Sequence, residues 1–396
     1  MDKFLEEKYG LKDTVLEDFK RKIPIKRELH WWTNREQELN KWKKIINESI
    51  HCERNIIVFI IGDYGRGKTL SLFKIIDEST KQKEIYPVYL NFKGEEKSKP
   101  GIDFIFRIFK SIDFNKILEN RSEKEVMEAV MNIPDKYEEP RKILEIIYHG
   151  GIDKHQRNLF PGEIRSKGDE INKFALYFLR GEVKPSVSQL KQLGVVRKID
   201  SIDIAKEYLA TSLCFLRNLG YKTLLLAIDE FEYLFSLVPK GQHSIYIALL
   251  RSLYDFQTSI DKNMLKMANM VFFIAISESG WSSLKGLEEK ESKIGGPTVP
   301  LLDRVDETTT LGAFSRDEME DLIEKVLRYN RVKEKFEEDP LIPFTKDFVD
   351  YIYKKTKGEP RAIKVRCSQV LDAGLADQVP LLTGDYAKKV LMERGF

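Results

Sequence analysis

One stretch limits the fold more than any other: residues 56–76, IIVFIIGDYGRGKTLSLFKII. A β-branched apolar run enters a glycine-rich turn, and apolar residues then recur at helical spacing. The pattern predicts strand, loop and helix in succession. Gly62, Gly67, Lys68 and Thr69 match G-x-x-x-x-G-K-[ST], a loop whose backbone N–H groups converge on phosphate. The spacing is a physical requirement. Glycines remove the Cβ atoms that would hold a phosphate away, and the helix beginning near Lys68 turns its positive end toward the same point. Lys68 is expected to reach the β- and γ-phosphates, and the Thr69 hydroxyl to ligate Mg²⁺. The whole turn (Gly62, Asp63, Tyr64, Gly65, Arg66, Gly67, Lys68, Thr69, Leu70) is the expected ATP cradle.

Such a loop needs a carboxylate for the metal shell, and YKTLLLAIDEFEYL at 221–234 supplies one. Leu224 to Ile228 is an unbroken apolar run, as in a parallel strand buried on both faces, and it ends in Asp229-Glu230. Adjacent carboxylates at such a place are costly to bury unless they meet a cation or a proton. Asp229 is expected to hold the Mg²⁺ shell, and Glu230 to polarise the attacking water as general base. Nucleotide binding alone does not require Glu230, so hydrolysis is expected.

Strands are expected at 55–61, 86–92, 223–228, 270–277 and 308–314, with helical patterns between them. Alternation of this kind implies right-handed crossovers and an α/β fold, a three-layer sandwich around a central parallel five-stranded sheet. Ligands of such sheets bind beyond the carboxyl ends of the strands, where the glycine loop and Asp229 both fall. Residues 1–30 read as a polar helix and a basic connector, and 31–312 as the core. WWTNREQELNKWKKII reads as a helix capped at Thr33 or Asn34. About 93–200 is far longer than a crossover needs and is expected to build a helical insertion. Within it, 136–167, with Gly150-Gly151 and Pro161-Gly162, is expected to form a surface loop. From 313 to 396 only helices are expected. Ser315 and Glu318 make a capping box, Gly358 a helix C-cap, and Pro360 opens a further helix.

Composition narrows the class. No run approaches the roughly 18 apolar residues of a membrane helix, and the polar start MDKFLEEKYG is not expected to act as a signal peptide, so a cytoplasmic protein is expected. Cys52, Cys214 and Cys367 lie far apart without metal-ligand spacing, and the five histidines are scattered, so no zinc site is expected. A net charge of +3 excludes a strongly basic nucleic-acid binder but leaves room for local basic runs: Lys20–Lys26, Lys41–Lys44, and Lys354, Lys355, Lys357, Lys364 and Arg366.

A phosphate-loop core followed by a helical lid resembles the AAA+ ATPases, and the details resemble the origin-recognition branch. WTNREQEL, with Trp32, Arg35, Glu36 and Leu39, is similar to the segment that lies near the adenine in that branch. Gly358, Pro360 and Arg361 match the G-x-P-R opening of its lid helix, which makes Arg361 the likeness of sensor 2. Ser277 stands where the branch usually has a catalytic asparagine, and Arg304 occupies the arginine-finger place before the fifth strand. A second resemblance, to the ATP-binding proteins of BREX-type phage-defence systems, rests on Leu179, Arg180, Gly181, Glu182, Leu193, Gly194, Val195, Gly220, Tyr221, Ile228, Asp229, Glu230 and Glu232.

These resemblances imply a Mg²⁺-dependent ATPase acting as a homo-oligomer in a DNA-associated assembly, in phage defence or in delivery of a helicase or nuclease. The alternative is a signalling switch whose nucleotide state controls a protein partner, with 93–200 as docking surface. A protein-remodelling machine is disfavoured, since no pore-loop signature precedes the acidic strand. No winged-helix segment follows the lid within these residues, so autonomous sequence-specific DNA reading is not expected.

Overall fold

A computed structural model of the chain describes residues 2–21, 25–33, 35–52, 54–92, 100–118, 121–149, 163–257, 266–293, 301–332 and 339–393. Five strands form one parallel sheet: β1 (Ile56–Ile61), β2 (Ile85–Asn91), β3 (Thr223–Asp229), β4 (Asn269–Ile276) and β5 (Glu307–Thr310), in the order β2-β3-β4-β1-β5. Every residue of β1, β3 and β4 is buried, which accounts for their unbroken apolar sequences. Thr223 of β3 faces Ile85 and Asn269, and the register carries through to Asn91 opposite Asp229. β5 is shorter than the expected 308–314. After Thr310 the chain leaves the ladder, with Leu311 N–H donating to Ile61 C=O and Phe314 N–H to Gly358 C=O.

The helices, numbered along the chain, are α1 (Thr14–Lys20), α2 (Glu36–His51), α3 (Lys68–Thr80), α4 (Ile102–Ser111), α5 (Glu123–Met131), α6 (Glu138–His149), α7 (Glu163–Leu179), α8 (Ile202–Asn218), α9 (His243–Tyr254), α10 (Glu278–Lys293), α11 (Arg316–Tyr329), α12 (Lys346–Thr356), α13 (Pro360–Ala376) and α14 (Gly384–Glu393). Asn34, a candidate cap of α2, lies outside the described residues, as do Gly150-Gly151 and Pro161-Gly162.

The chain divides into two units. The first holds Met1–Trp42, Ile60–Ile75 and Thr309–Phe396, and the second Lys43–Phe59 and Ile76–Thr308. In the first unit the N-terminal segment is not a separate appendage. Leu5, Tyr9, Val15 and Phe19 share one core with Met319, Ile323, Phe344, Phe348, Val370 and Leu371. A buried polar cluster joins the same parts: Asn330 Nδ2 donates to Asp18 Oδ2 at 3.1 Å, and Arg27 pairs with Asp18. The lid's predicted capping box is present, with Glu318 N–H donating to Ser315 Oγ at 3.2 Å and Ser315 N–H to Glu318 Oε2 at 2.6 Å. The α12 cap differs from expectation. Lys357, at φ 50°, takes the C-cap position. Gly358 is needed for a different reason, since a Cβ there would lie 1.9 Å from the Phe314 carbonyl oxygen.

In the second unit, α4 to α8 build the helical insertion. The surface loop expected at 136–167 is, over its first part, the helix α6. Its residues Ile143 and Leu144 are buried, at 0% and 1% exposure, alongside a core that includes Val130, Phe178, Leu209 and Phe215. Arg197 ties this layer together, donating to Glu139 Oε2 at 3.1 Å and to Glu207 Oε2 at 2.7 Å.

Candidate functional site

The first unit carries the phosphate loop. β1 ends at Ile61 and α3 starts at Lys68, so the six residues between must reverse from strand to helix. Gly65 and Gly67 do this at φ 83° and 90°, in the left-handed region that side-chain-bearing residues avoid. The two are constrained differently. A Cβ on Gly65 would lie 2.6 Å from Glu359 Oε1 and 2.8 Å from Arg361 Cβ, so the start of α13 packs directly on the loop. A Cβ on Gly67 would meet nothing within 4 Å among the described residues, so there the backbone conformation demands glycine. A glycine turn leading into a helix N-terminus is of the kind that receives phosphate.

Lys68 is 8% exposed, and its ammonium donates to the Gly62 carbonyl at 2.7 Å and the Asp63 carbonyl at 3.3 Å. It also lies 5.4 Å from the centre of the exposed Tyr64 ring. The charge is thus delivered to the mouth of the loop. Arg35, expected near the adenine, has a tying role. Its Nη2 donates to Arg66 C=O at 3.2 Å and Gly312 C=O at 2.9 Å, joining the phosphate loop to the segment after β5. Its guanidinium stands 5.2 Å from the Phe314 ring centre, and burial lowers its pKa from the ordinary arginine value. Trp32 lies against Trp42, ring centres 6.4 Å apart, and its carbonyl accepts from Lys325 Nζ at 3.1 Å. The Trp32 indole N–H is buried without a hydrogen-bond partner among the described residues. Arg361, the second residue of α13, lies over Gly65.

The second unit carries the acidic strand end. Asp229 closes β3 at 2% exposure. Its Oδ2 accepts from the Tyr89 hydroxyl at 2.9 Å and its Oδ1 from the Glu230 N–H at 2.9 Å. Glu230 sits at φ 56°, a conformation rarely taken by any residue but glycine and asparagine. Its Oε2 is buried with no hydrogen-bond partner among the described residues. A strained residue holding an unsatisfied carboxylate oxygen beside a second buried carboxylate is costly to maintain. A nearby cation or ordered water would offset that cost, and a hard oxygen donor such as Asp229 fits Mg²⁺.

Ser277 follows β4, where the sequence placed it, but its hydroxyl caps a helix. Oγ accepts from Gly280 N–H at 3.1 Å and lies 3.1 Å from Ser279 Oγ, starting α10. Its backbone N–H donates to Glu232 Oε2 at 3.3 Å, so the acidic loop supports the β4 end. Arg304 is engaged within its own chain. Nε donates to Asp255 Oδ1 at 2.9 Å and Nη2 to Oδ2 at 2.8 Å, and this bidentate fork raises its pKa further. An arginine finger drawn from this position has to leave Asp255 first. The turn bearing Arg304 is itself anchored by the buried Glu288 carboxylate, which accepts from Leu301 N–H at 2.7 Å and Leu302 N–H at 3.2 Å.

Several charges of the basic runs are taken up within the chain. Lys364 pairs with the buried Glu28 at 2.7 Å, Lys20 with Asp372 at 3.2 Å and Lys43 with Glu78 at 3.3 Å, while Arg366 donates to the neutral Gln369 at 2.9 Å. Lys354, Lys355 and Lys357, at the end of α12, stay exposed. The partners Tyr89, Asp255 and Glu288 were not foreseen from sequence. Among them only Tyr89, a hydroxylated aromatic on the less buried face of β2, left a local signal.

A parallel five-stranded sheet with a phosphate loop after its first strand, an acidic end on its third and helices following its fifth defines a phosphate-loop α/β protein. A family model described as BREX system ATP-binding protein BrxC/D matches residues 162–366, just over half of the chain, and the chain belongs to that family. No curated protein matches it in sequence. Among solved structures it is similar to Drosophila ORC bound to DNA (13% identity, TM-score 0.46, covering 99% of this chain and 67% of that one). It is also similar to Aeropyrum pernix ORC2 in ADPNP-ADP complexes (13%, 0.47, 96% and 71%). A third is the Thermotoga maritima RuvB Holliday junction branch migration motor (13%, 0.43, 94% and 72%). At these scores nothing about activity or partners follows from the likeness. Among the described residues no helix is long and apolar enough to cross a membrane.

Proposed function

We propose that this chain is a Mg²⁺-dependent ATP hydrolase that couples nucleotide turnover to conformational change in a DNA-associated defence assembly. The observation that carries the reading is Glu230: φ 56°, with a buried carboxylate oxygen that has no hydrogen-bond partner among the described residues, next to the hydrogen-bonded Asp229. Backbone strain of this kind clusters at active sites, ligand clamps and switch regions, and an unsatisfied carboxylate oxygen is the group that a general base needs. Lys68 and the loop amides would bind the phosphates, Thr69 and Asp229 would hold the metal, Glu230 would take a proton from water, and Arg361 would bring the lid to the nucleotide. When bound, Mg²⁺ supplies neutralising charge at the β- and γ-phosphates. Assembly into a homo-oligomer would let Arg304, once released from Asp255, act on a neighbour's nucleotide.

DNA association rests on the exposed Lys354, Lys355 and Lys357, fewer charges than the sequence runs suggest. The competing reading, a nucleotide-state switch for a protein partner, draws on the exposed Met127, Met131, Val187 and Val196 of the insertion. Phosphate release measured with and without single- and double-stranded DNA at two salt concentrations, with mass by light scattering, separates the two. Salt-sensitive stimulation by DNA supports the first reading. ATP hydrolysis indifferent to DNA supports the second, and no hydrolysis in any arm contradicts both.

A further inference from the structure

We propose that Tyr89 is a positioning residue for the metal-side carboxylate: its phenol holds Asp229 in the rotamer that also fixes the left-handed turn presenting Glu230. The proposal rests on the reading of Asp229 as the Mg²⁺-shell carboxylate. β2 and β3 are parallel neighbours, with Tyr89 opposite Ala227 and Asn91 opposite Asp229, so the Tyr89 side chain is one diagonal step from Asp229. The step is bridged by a 2.9 Å O–H···Oδ2 hydrogen bond. On the other oxygen, Oδ1 accepts the N–H of Glu230 at 2.9 Å, the residue whose φ is 56°.

The two contacts are mechanically linked. Rotation of the Asp229 side chain moves Oδ1 and Oδ2 together, so a phenol that pins Oδ2 also keeps Oδ1 on the Glu230 amide. That amide contact helps hold a backbone conformation that side-chain-bearing residues rarely adopt. A carboxylate offers about four lone-pair sites. With two occupied this way, the remaining directions are fixed rather than free to rotate. The sequence choice agrees: Pro87, Tyr89 and Asn91 occupy the less buried face of β2, where a phenylalanine would pack as well but donate nothing.

The test is Mn²⁺ binding to the full chain in the presence of a non-hydrolysable ATP analogue, followed by electron paramagnetic resonance. Tyr89→Phe should raise the Mn²⁺ dissociation constant about 10-fold, in the range found when a partner of a metal ligand is removed. Analogue affinity in EDTA should stay at the wild-type value. Tyr89→His, which keeps an N–H donor, should recover most of the Mn²⁺ affinity and guards against misfolding of the phenylalanine variant. An unchanged Mn²⁺ isotherm for Tyr89→Phe, whatever its melting temperature, overturns the proposal and leaves Tyr89 a packing residue. Asp229→Asn is the control: if it too leaves Mn²⁺ affinity unchanged, the metal assignment of Asp229 fails, and the role of Tyr89 with it.

Discussion

At Gly65 one methyl group decides whether the phosphate loop can form. The residue combines φ 83° with a Cβ position 2.6 Å from Glu359 Oε1 and 2.8 Å from Arg361 Cβ. Gly65→Ala therefore strains the backbone and drives the opening turn of α13 away from the loop. A stability loss of about 1–3 kcal/mol is expected in denaturant titration, together with a clear fall in ATP affinity by calorimetry. Wild-type ATP affinity in that variant would show that the loop and Arg361 are not coupled. The loop was legible in sequence because its constraint is local: five consecutive peptide units must present N–H groups inward, and glycine and lysine at fixed spacing announce it. The residues around it were not legible. Arg35 is placed near the adenine only by resemblance, and no local signal announces that its Nη2 spans the carbonyls of Arg66 and Gly312. Asp255 gives no sign that it will capture Arg304. Such pairings depend on which strands become neighbours, and no local pattern encodes that.

At the scale of elements, the strands follow the apolar runs to within a residue or two, since a strand buried on both faces has no other composition available. β5 is the exception. TTTLGAF continues the β pattern, but the hydrogen bond from Phe314 to Gly358 takes the chain into the lid after Thr310. The insertion was legible as helical but wrongly divided. Charged residues of α6 outnumber its apolar ones on the exposed side and disguise a helix whose Ile143 and Leu144 are buried. Ile143→Ala should accordingly destabilise the protein by about 2–5 kcal/mol, as expected for a core aliphatic side chain. A surface-loop position would lose less than about 0.5 kcal/mol, so chemical denaturation distinguishes the two. The lid resolves more simply: capping box and apolar stripe coincide in sequence and structure from Ser315 to Val326.

For the whole molecule, burial governs how stability responds to pH. The Cys214 thiol is pushed up to about 12 from an ordinary 9.0, and the Tyr86 phenol to about 12 from 10.0, both chiefly by desolvation. Tyr9, Tyr89, Tyr148, Tyr208 and Tyr246 are raised by the same cause. Groups with raised folded-state pKa favour the native state fully below their unfolded values, and the advantage is lost as pH climbs toward the folded ones. The melting temperature should fall steadily as pH rises from about 9 toward 12; a flat profile over that window would mean these hydroxyls and thiols are not buried as described. The central claim, that two separate parts of the chain divide phosphate binding from water activation, has a more direct test. Lys68→Ala and Glu230→Gln are compared by ATP calorimetry and by phosphate release in Mg²⁺. The account predicts that Lys68→Ala loses tight ATP binding, whereas Glu230→Gln binds ATP as well as wild type and releases almost no phosphate. Phosphate release by Glu230→Gln at the wild-type rate would contradict it.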